Sequence, residues 1–159
     1  MSRLNAYEEL VDNASEDGLT VIEDAIQASD GLCVGDCIII REDIPTVVKK
    51  ADVTAEEIGH NKYTVGDITD QTVVDNRKQE NRARFYAYNL RIGLSGLLKA
   101  FKAGCRTTDD IADFLDVSED FLLEALERYR QVYGTGAMVD NYYIRFEPYL
   151  SIQTYHFIM

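Results

Sequence analysis

The segment 32–40 constrains the fold more than any other part of the chain. Two short apolar runs, 32–34 and 37–40, flank the turn-forming pair Gly35-Asp36. Short apolar runs around such a pair are typical of a β-hairpin. Because the run 38–40 is apolar without interruption, we expect its strand to be covered on both faces.

Helical periodicity surrounds this hairpin. Apolar residues at helical spacing predict four helices, at 4–14, 21–26, 45–61 and 73–90, with a loop at 62–72. A hairpin between helices predicts an α+β fold, in which a small sheet packs on helices.

A different unit follows residue 92. Thr107 and Ser118 are predicted N-caps of two consecutive helices, Gly134 ends the second helix, and 139–146 reads as a strand. We therefore expect three parts. They are a core at 1–92, a helical subdomain with helix-turn-helix spacing and a following strand at 93–147, and an apolar tail of unknown role at 148–159.

Charge and composition exclude several classes of function. The 159 residues include 28 acidic and 16 basic ones, a net charge of −12, which repels nucleic acid and anionic membranes. Direct binding of DNA by the helix-turn-helix-like part is therefore disfavoured. Its second helix carries the carboxylates Glu119, Asp120, Glu124 and Glu127. A docking face for a regulatory protein and a plain helical core remain the alternatives for this part.

Cysteine usage and the N-terminal sequence indicate a cytoplasmic protein. The three cysteines lack the spacing of a disulfide framework. No apolar leader is apparent at the N-terminus, and no apolar run approaches the length of a membrane span.

One segment could carry chemistry. Glu56 and His60 are four residues apart, so on a helix they share a face, with Cβ atoms about 5–6 Å apart. One metal ion could bridge them, while Glu57 projects beside it as a possible general base. The same arrangement underlies the H-E-x-x-H motif, with a glutamate here at the position of the first histidine.

A third ligand and a competing interpretation follow from the same helices. Glu80 heads the apolar stripe of the helix at 73–90, where a carboxylate must be paired or bound to a metal. The flanking Arg77, Arg82 or Arg84 could pair it instead. Thr54 and Glu57 also have the spacing of a capping box, in which case the helix would begin there and the carboxylates would only cap it.

Three separated motifs resemble the ImmA/IrrE family of metallopeptidases, especially its small members from phages and mobile elements. The motifs are AEEIGH at 55–60, YTVGDI at 63–68 and RKQENRARFYA at 77–87, and IADFLDVS at 111–118 is similar to the family's C-terminal helical part. The resemblance covers about residues 4–147 and leaves the tail unexplained.

The resemblance implies a zincin-like core and a metal-dependent endopeptidase. Carried over by position, Glu56, His60 and Glu80 would hold Zn²⁺, or alternatively Mn²⁺, and Glu57 would be the general base. Tyr63 and His156 are candidates for stabilising the oxyanion. The implied substrate is a helix-turn-helix repressor, whose cleavage derepresses a prophage, a mobile element or a stress response.

Glu56 departs from the family pattern, which has histidine at that position. A carboxylate lowers the net charge of the metal site and makes its water harder to deprotonate. Two functions therefore remain open, a peptidase and a protein that binds and sequesters a regulator without cutting it. A third, an acidic mimic of DNA, rests on charge alone.

Overall fold

The computed structural model describes residues 3–63 and 74–155, except for the side chains of residues 74 and 75. It shows an α+β protein that divides into two units, Met1–Leu90 and Arg91–Met159. The boundary lies two residues before the one expected from the sequence.

A three-stranded sheet forms the centre of the first unit. Its strands are β1 (Thr20–Asp24), β2 (Gly31–Val34) and β3 (Cys37–Arg41), with β3 in the middle. The β2–β3 hairpin is the predicted one, and Gly35 turns the chain at a positive φ of 58°. The helix predicted at 21–26 is wrong, since this segment pairs in parallel with β3 over five residues. Pairing with a distant strand overrides the local pattern here.

Among the described residues, helices bury only one face of this sheet. Ile38 and Ile40 are fully buried and pack with Ala14 and Val53, which lie on two helices. These helices are α1 (Ala6–Glu16) and α2 (Val47–Tyr63). Ile39 between them is only half-buried, so the expectation that β3 is covered on both faces is wrong. Strand side chains alternate between the two faces, and here helices cover only one of them.

Helix α2 starts well before Thr54, the residue that the capping-box interpretation makes its N-cap. The hydroxyl of Thr46 accepts a hydrogen bond from the Lys49 amide at 3.1 Å, which places the start of the helix at Val47. Thr54 lies well inside the helix, where its hydroxyl donates to the Lys50 carbonyl at 2.7 Å. The interpretation of Thr54 as an N-cap is therefore wrong. Helix α3 (Val74–Arg91) follows, and most of the predicted loop lies outside the described residues.

Three helices open the second unit. They are α4 (Gly93–Lys102), α5 (Thr108–Leu115) and α6 (Glu119–Tyr133). Thr107 caps α5 by accepting from the Asp110 amide, and Ser118 caps α6 by accepting from the Phe121 amide, as predicted. Gly134 ends α6 with a φ of 70°, which also agrees with the sequence analysis.

A second sheet completes this unit. The single strand predicted at 139–146 is instead a hairpin of β4 (Gly136–Val139) and β5 (Tyr142–Arg145), because the chain turns at Asp140 with a φ of 51°. Strand β6 (Ser151–Thr154) pairs with β5, so four residues of the predicted tail belong to this sheet. Within residues 3–63 and 74–155, none of the helices has the length and apolar character that crossing a membrane requires.

Tyr129 joins the helices of the second unit to its sheet. Its ring is fully buried and lies 5.9 Å from the ring of Phe146, and its hydroxyl accepts a hydrogen bond from the Gly93 amide at 3.1 Å. We expect Tyr129→Phe to lower the free energy of unfolding by about 1–3 kcal/mol, because the Gly93 amide loses its buried acceptor. Urea unfolding followed by far-UV circular dichroism measures the change.

Tyr133→Phe is the matched control. The Tyr133 ring stacks on Phe146 at 6.1 Å, and this contact does not need the hydroxyl. This variant should stay within about 0.5 kcal/mol of the wild type. Equal losses in the two variants would contradict a specific role for the hydrogen bond to Gly93.

Candidate functional site

The candidate site lies where α2 and α3 come closest. A Cβ atom built on Gly59 would lie 2.2 Å from the carbonyl oxygen of Ala83, so only glycine fits at this position of α2. Ala83 is fully buried and adds little bulk on the other side. The two backbones therefore approach closely beside His60, which follows Gly59 directly.

This close approach brings His60 and Glu80 into contact. The His60 Nε2 atom lies 2.9 Å from the Glu80 Oε2 atom, and both side chains are largely buried. The other oxygen of Glu80 accepts a hydrogen bond from Arg84 Nε at 2.8 Å. One of the three flanking arginines that could pair Glu80 therefore does so. Glu80 links the histidine on α2 to a cation one turn further along α3.

Glu57 lies on the opposite side of the His60 ring. Its side chain is buried, with the residue 7% exposed, and its Oε2 atom is 3.4 Å from His60 Nδ1. Gly31 of β2 makes room for it, since a Cβ there would lie 2.8 Å from Glu57 Cγ. A second glycine thus allows a carboxyl group to fit between the helix and the sheet.

The two glutamates change the electrostatics of the ring. The contact with Glu57, which has the larger effect, and the contact with Glu80 raise the pKa of His60 from 6.5 to about 10. Burial of the ring acts in the opposite direction and lowers this pKa. The contact with His60 lowers the pKa of Glu80 to about 2, against the effect of burial, and Arg84 adds to the lowering. In the absence of a metal ion, the site at neutral pH is an imidazolium held between acidic side chains.

The charge of Glu56 affects the same cluster of side chains through Arg84. Burial lowers the pKa of Arg84, while its hydrogen bond to Glu80 and the charges of Glu80 and Glu56 raise it above its usual value. Among residues 3–63 and 74–155, no three His, Cys, Asp or Glu side chains are already arranged around one metal position.

Of the two candidate oxyanion donors, Tyr63 and His156, the structure describes Tyr63 alone. Tyr63 is the last residue of α2, and its ring lies 5.6 Å from that of Tyr86 on α3. His156 lies outside the described residues, so its role stays a prediction.

The imidazole of His60 and the carboxylate of Glu80 are donor types that zinc accepts, and in the structure they contact each other directly. Two ligands that each lie about 2.0–2.1 Å from one tetrahedral zinc ion are about 3.3 Å apart. The observed 2.9 Å needs to widen by only a few tenths of an ångström. The far ring nitrogen of His60 faces Glu57, as the second nitrogen of a metal-bound histidine commonly faces a carboxylate.

Sequence reasoning missed the residues that make this arrangement possible. Gly59 and Gly31 carry no chemistry, but each leaves the space that a functional side chain or helix occupies. A glycine inside a helical pattern was the available indication for Gly59, since such a residue costs helix stability and needs a packing reason. Comparison with protein-family models, curated proteins and solved structures finds no match to the chain.

Replacing Gly59 tests the dependence of the site on the helix crossing. We expect Gly59→Ala to destabilise the protein by about 1–3 kcal/mol, because the added methyl meets the Ala83 backbone and the helices must separate. The separation should also break the contact between His60 and Glu80. Thermal unfolding measures the first effect, and the histidine ring resonances in NMR spectra report the second.

Gly96→Ala on α4 is the matched control. Its added methyl would lie 3.4 Å from a Leu115 side-chain atom, which is an ordinary contact. A helical alanine is favoured over glycine by about 0.5–1 kcal/mol, so this variant should be neutral or more stable. A Gly59→Ala protein as stable as the Gly96→Ala protein would show that the close crossing is not needed.

Proposed function

We propose that the protein is a metal-dependent endopeptidase that cleaves a helix-turn-helix transcriptional repressor. The observation that supports it most is the convergence of His60 and Glu80 across the helix crossing, with Glu57 buried against the far side of the ring. This arrangement combines two ligand types that zinc accepts, while Glu57 faces the ring nitrogen that points away from Glu80. The choice of substrate and the cytoplasmic location follow from the resemblance to the ImmA/IrrE family and from the sequence.

In this proposal His60 and Glu80 would hold the ion, and the carboxylate of Glu56, predicted on the same face of α2 as His60, would be the third ligand. The chemistry that Zn²⁺, or alternatively Mn²⁺, supplies when bound is polarisation of the scissile carbonyl and activation of water. In this proposal Glu57 is the general base, and its carboxylate would have to turn from the Nδ1 side of the His60 ring to take the proton of the attacking water and return it to the leaving amine. Tyr63, the candidate that lies within the described residues, would donate a hydrogen bond to the oxyanion.

A second function, binding a regulator without cutting it, is favoured by the environment of Glu80. Its Oε1 atom already accepts a hydrogen bond from Arg84, and the charge of Glu56 also raises the pKa of that arginine. A cation that occupies these carboxylates competes with a metal ion for them. With glutamate in place of the first histidine of the motif, water on the ion at such a site would also be harder to deprotonate.

Metal content distinguishes the two functions. We expect the wild type, after incubation with zinc or manganese and desalting, to carry about one ion per chain. His60→Ala and Glu80→Gln should lose it, because each removes a ligand. Elemental mass spectrometry measures the ratio, and Glu127→Gln on the exposed surface of α6 is the control. If Glu56→Gln keeps full occupancy, Glu56 is not a ligand. A wild type without metal would contradict the catalytic proposal.

Replacing Glu57 tests the mechanism. Glu57→Gln keeps the shape of the side chain but cannot accept a proton, so cleavage should fall by at least about 100-fold. Metal content should fall much less than in His60→Ala, because Glu57 contacts the far nitrogen of the ligand His60 and is not itself a proposed ligand. The assay uses a purified helix-turn-helix repressor as the substrate, with fragments identified by mass spectrometry. Wild-type cleavage by this variant would overturn the assignment of the general base.

A further inference from the structure

The first sheet has one face that the helices leave open. Ile22 of β1 and Leu32 of β2 both pair with Ile39 of the central strand, and Val34 pairs with Cys37. We call the five residues Ile22, Leu32, Val34, Cys37 and Ile39 the open sheet face. They project away from the helices, because Ile38 and Ile40 between them are fully buried on the other side.

The open sheet face is exposed and continuous. Ile22 is 43% exposed, Leu32 45% and Val34 58%, while the two residues from the central strand are half-buried. All three strands contribute, so the apolar side chains form a single patch rather than scattered positions. A contiguous exposed apolar patch on a folded protein is a characteristic of interaction sites.

The rim of this patch is acidic. At one end, Asp24 lies opposite Arg41 in the strand register, and Arg41 contacts Asp30 at 2.9 Å and Asp43 at 2.7 Å. Two carboxylates thus contact one guanidinium, and a third lies on the neighbouring strand. At the other end, Asp36 occupies the exposed turn between β2 and β3. The rim is therefore negative at both ends, around an apolar centre.

This distribution of charge selects among the possible occupants. A second copy of the chain would bring its own acidic rim against this one, at a net charge of −12 per chain. Nucleic acid and anionic membranes are repelled in the same way. A protein helix with an apolar face bordered by lysine or arginine complements both the centre and the rim.

We propose that the open sheet face docks a basic amphipathic helix of a protein partner. If the proposed function is correct, this partner is the substrate, and that identification rests on the proposed function. The DNA-binding domain of a repressor is rich in basic residues, as the docked helix must be. The face is also connected to the candidate site. Gly31 of β2 lies against Glu57, and the next residue, Leu32, points to the open sheet face. A docked partner would therefore lie across strand β2 from Glu57, on the opposite face of the sheet.

The test uses the full chain with Glu57→Gln, so that the probe is not cut. The probe is a fluorescein-labelled helical peptide with leucine on one face and lysine on the other. Binding is followed by fluorescence anisotropy, and its position by hydrogen exchange. We expect Leu32→Lys to weaken binding about tenfold or more, because it removes a buried apolar contact and adds a repelling charge. Peptide binding should protect the amides of β1, β2 and β3.

Val132→Lys is the matched control. Val132 lies on α6 in the second unit and is 46% exposed, close to the value for Leu32. It introduces the same charge and should leave affinity within about twofold. Ile22→Lys repeats the test on the other edge strand in case the Leu32 variant does not fold. Both proteins are first compared with the parent by thermal unfolding.

Several outcomes would overturn the proposal. They are unchanged affinity in both Leu32→Lys and Ile22→Lys, an equal loss in Val132→Lys, or protection confined to the second unit. Self-association of the parent that Leu32→Lys abolishes would assign the face to a second copy instead. Failure of the catalytic proposal gives a different pattern. The wild type then lacks metal and cleavage, while the peptide still protects the three strands.

Discussion

The approach of α2 to α3 at Gly59 is the constraint on which the candidate site depends. With the Ala83 carbonyl 2.2 Å from where a Cβ would be, the two helices are in backbone contact at that point. Burying His60 and Glu80 is costly unless each finds a partner. The close approach supplies the partners, since it places an imidazole nitrogen 2.9 Å from a carboxylate oxygen. The polar cluster is stable because the backbone geometry beneath it allows complementary charges to meet.

Local patterns predicted the elements whose determinants are local. The β2–β3 hairpin depends on Gly35 and the adjacent turn, and the starts of α5 and α6 depend on single hydroxyl groups at Thr107 and Ser118. Strand β1 could not be predicted in this way. Its five residues form a strand because β3 offers a parallel partner, 17 positions further along the chain in the register Thr20 with Cys37. Patterns among neighbouring residues carry no information about pairing with a distant strand.

The candidate site was predicted in its residue types more than in its contacts. Spacing alone placed Glu56 and His60 on one face of a helix, whereas in the structure His60 contacts Glu57 and Glu80. Glu57 fits beside the ring because Gly31 leaves space on the neighbouring strand. Arg84 reaches Glu80 one helical turn away, and it was one of three arginines with suitable positions. The choice among them depends on side-chain geometry that the sequence does not carry.

Strand β2 gives the proposed catalytic and docking functions a common element. Its residues alternate, so Gly31 and Cys33 face α2, where Gly31 contacts Glu57 and Asn61 approaches Cys33 at 3.7 Å. Leu32 and Val34 face the opposite side, with an acidic rim around them. A partner that docks on one side of the strand is therefore brought close to Glu57 on the other side. Because the two sets of side chains are on opposite faces, a substitution at Leu32 can alter recognition without touching Glu57 or His60. Recognition and chemistry are thus physically separable within a strand of four residues.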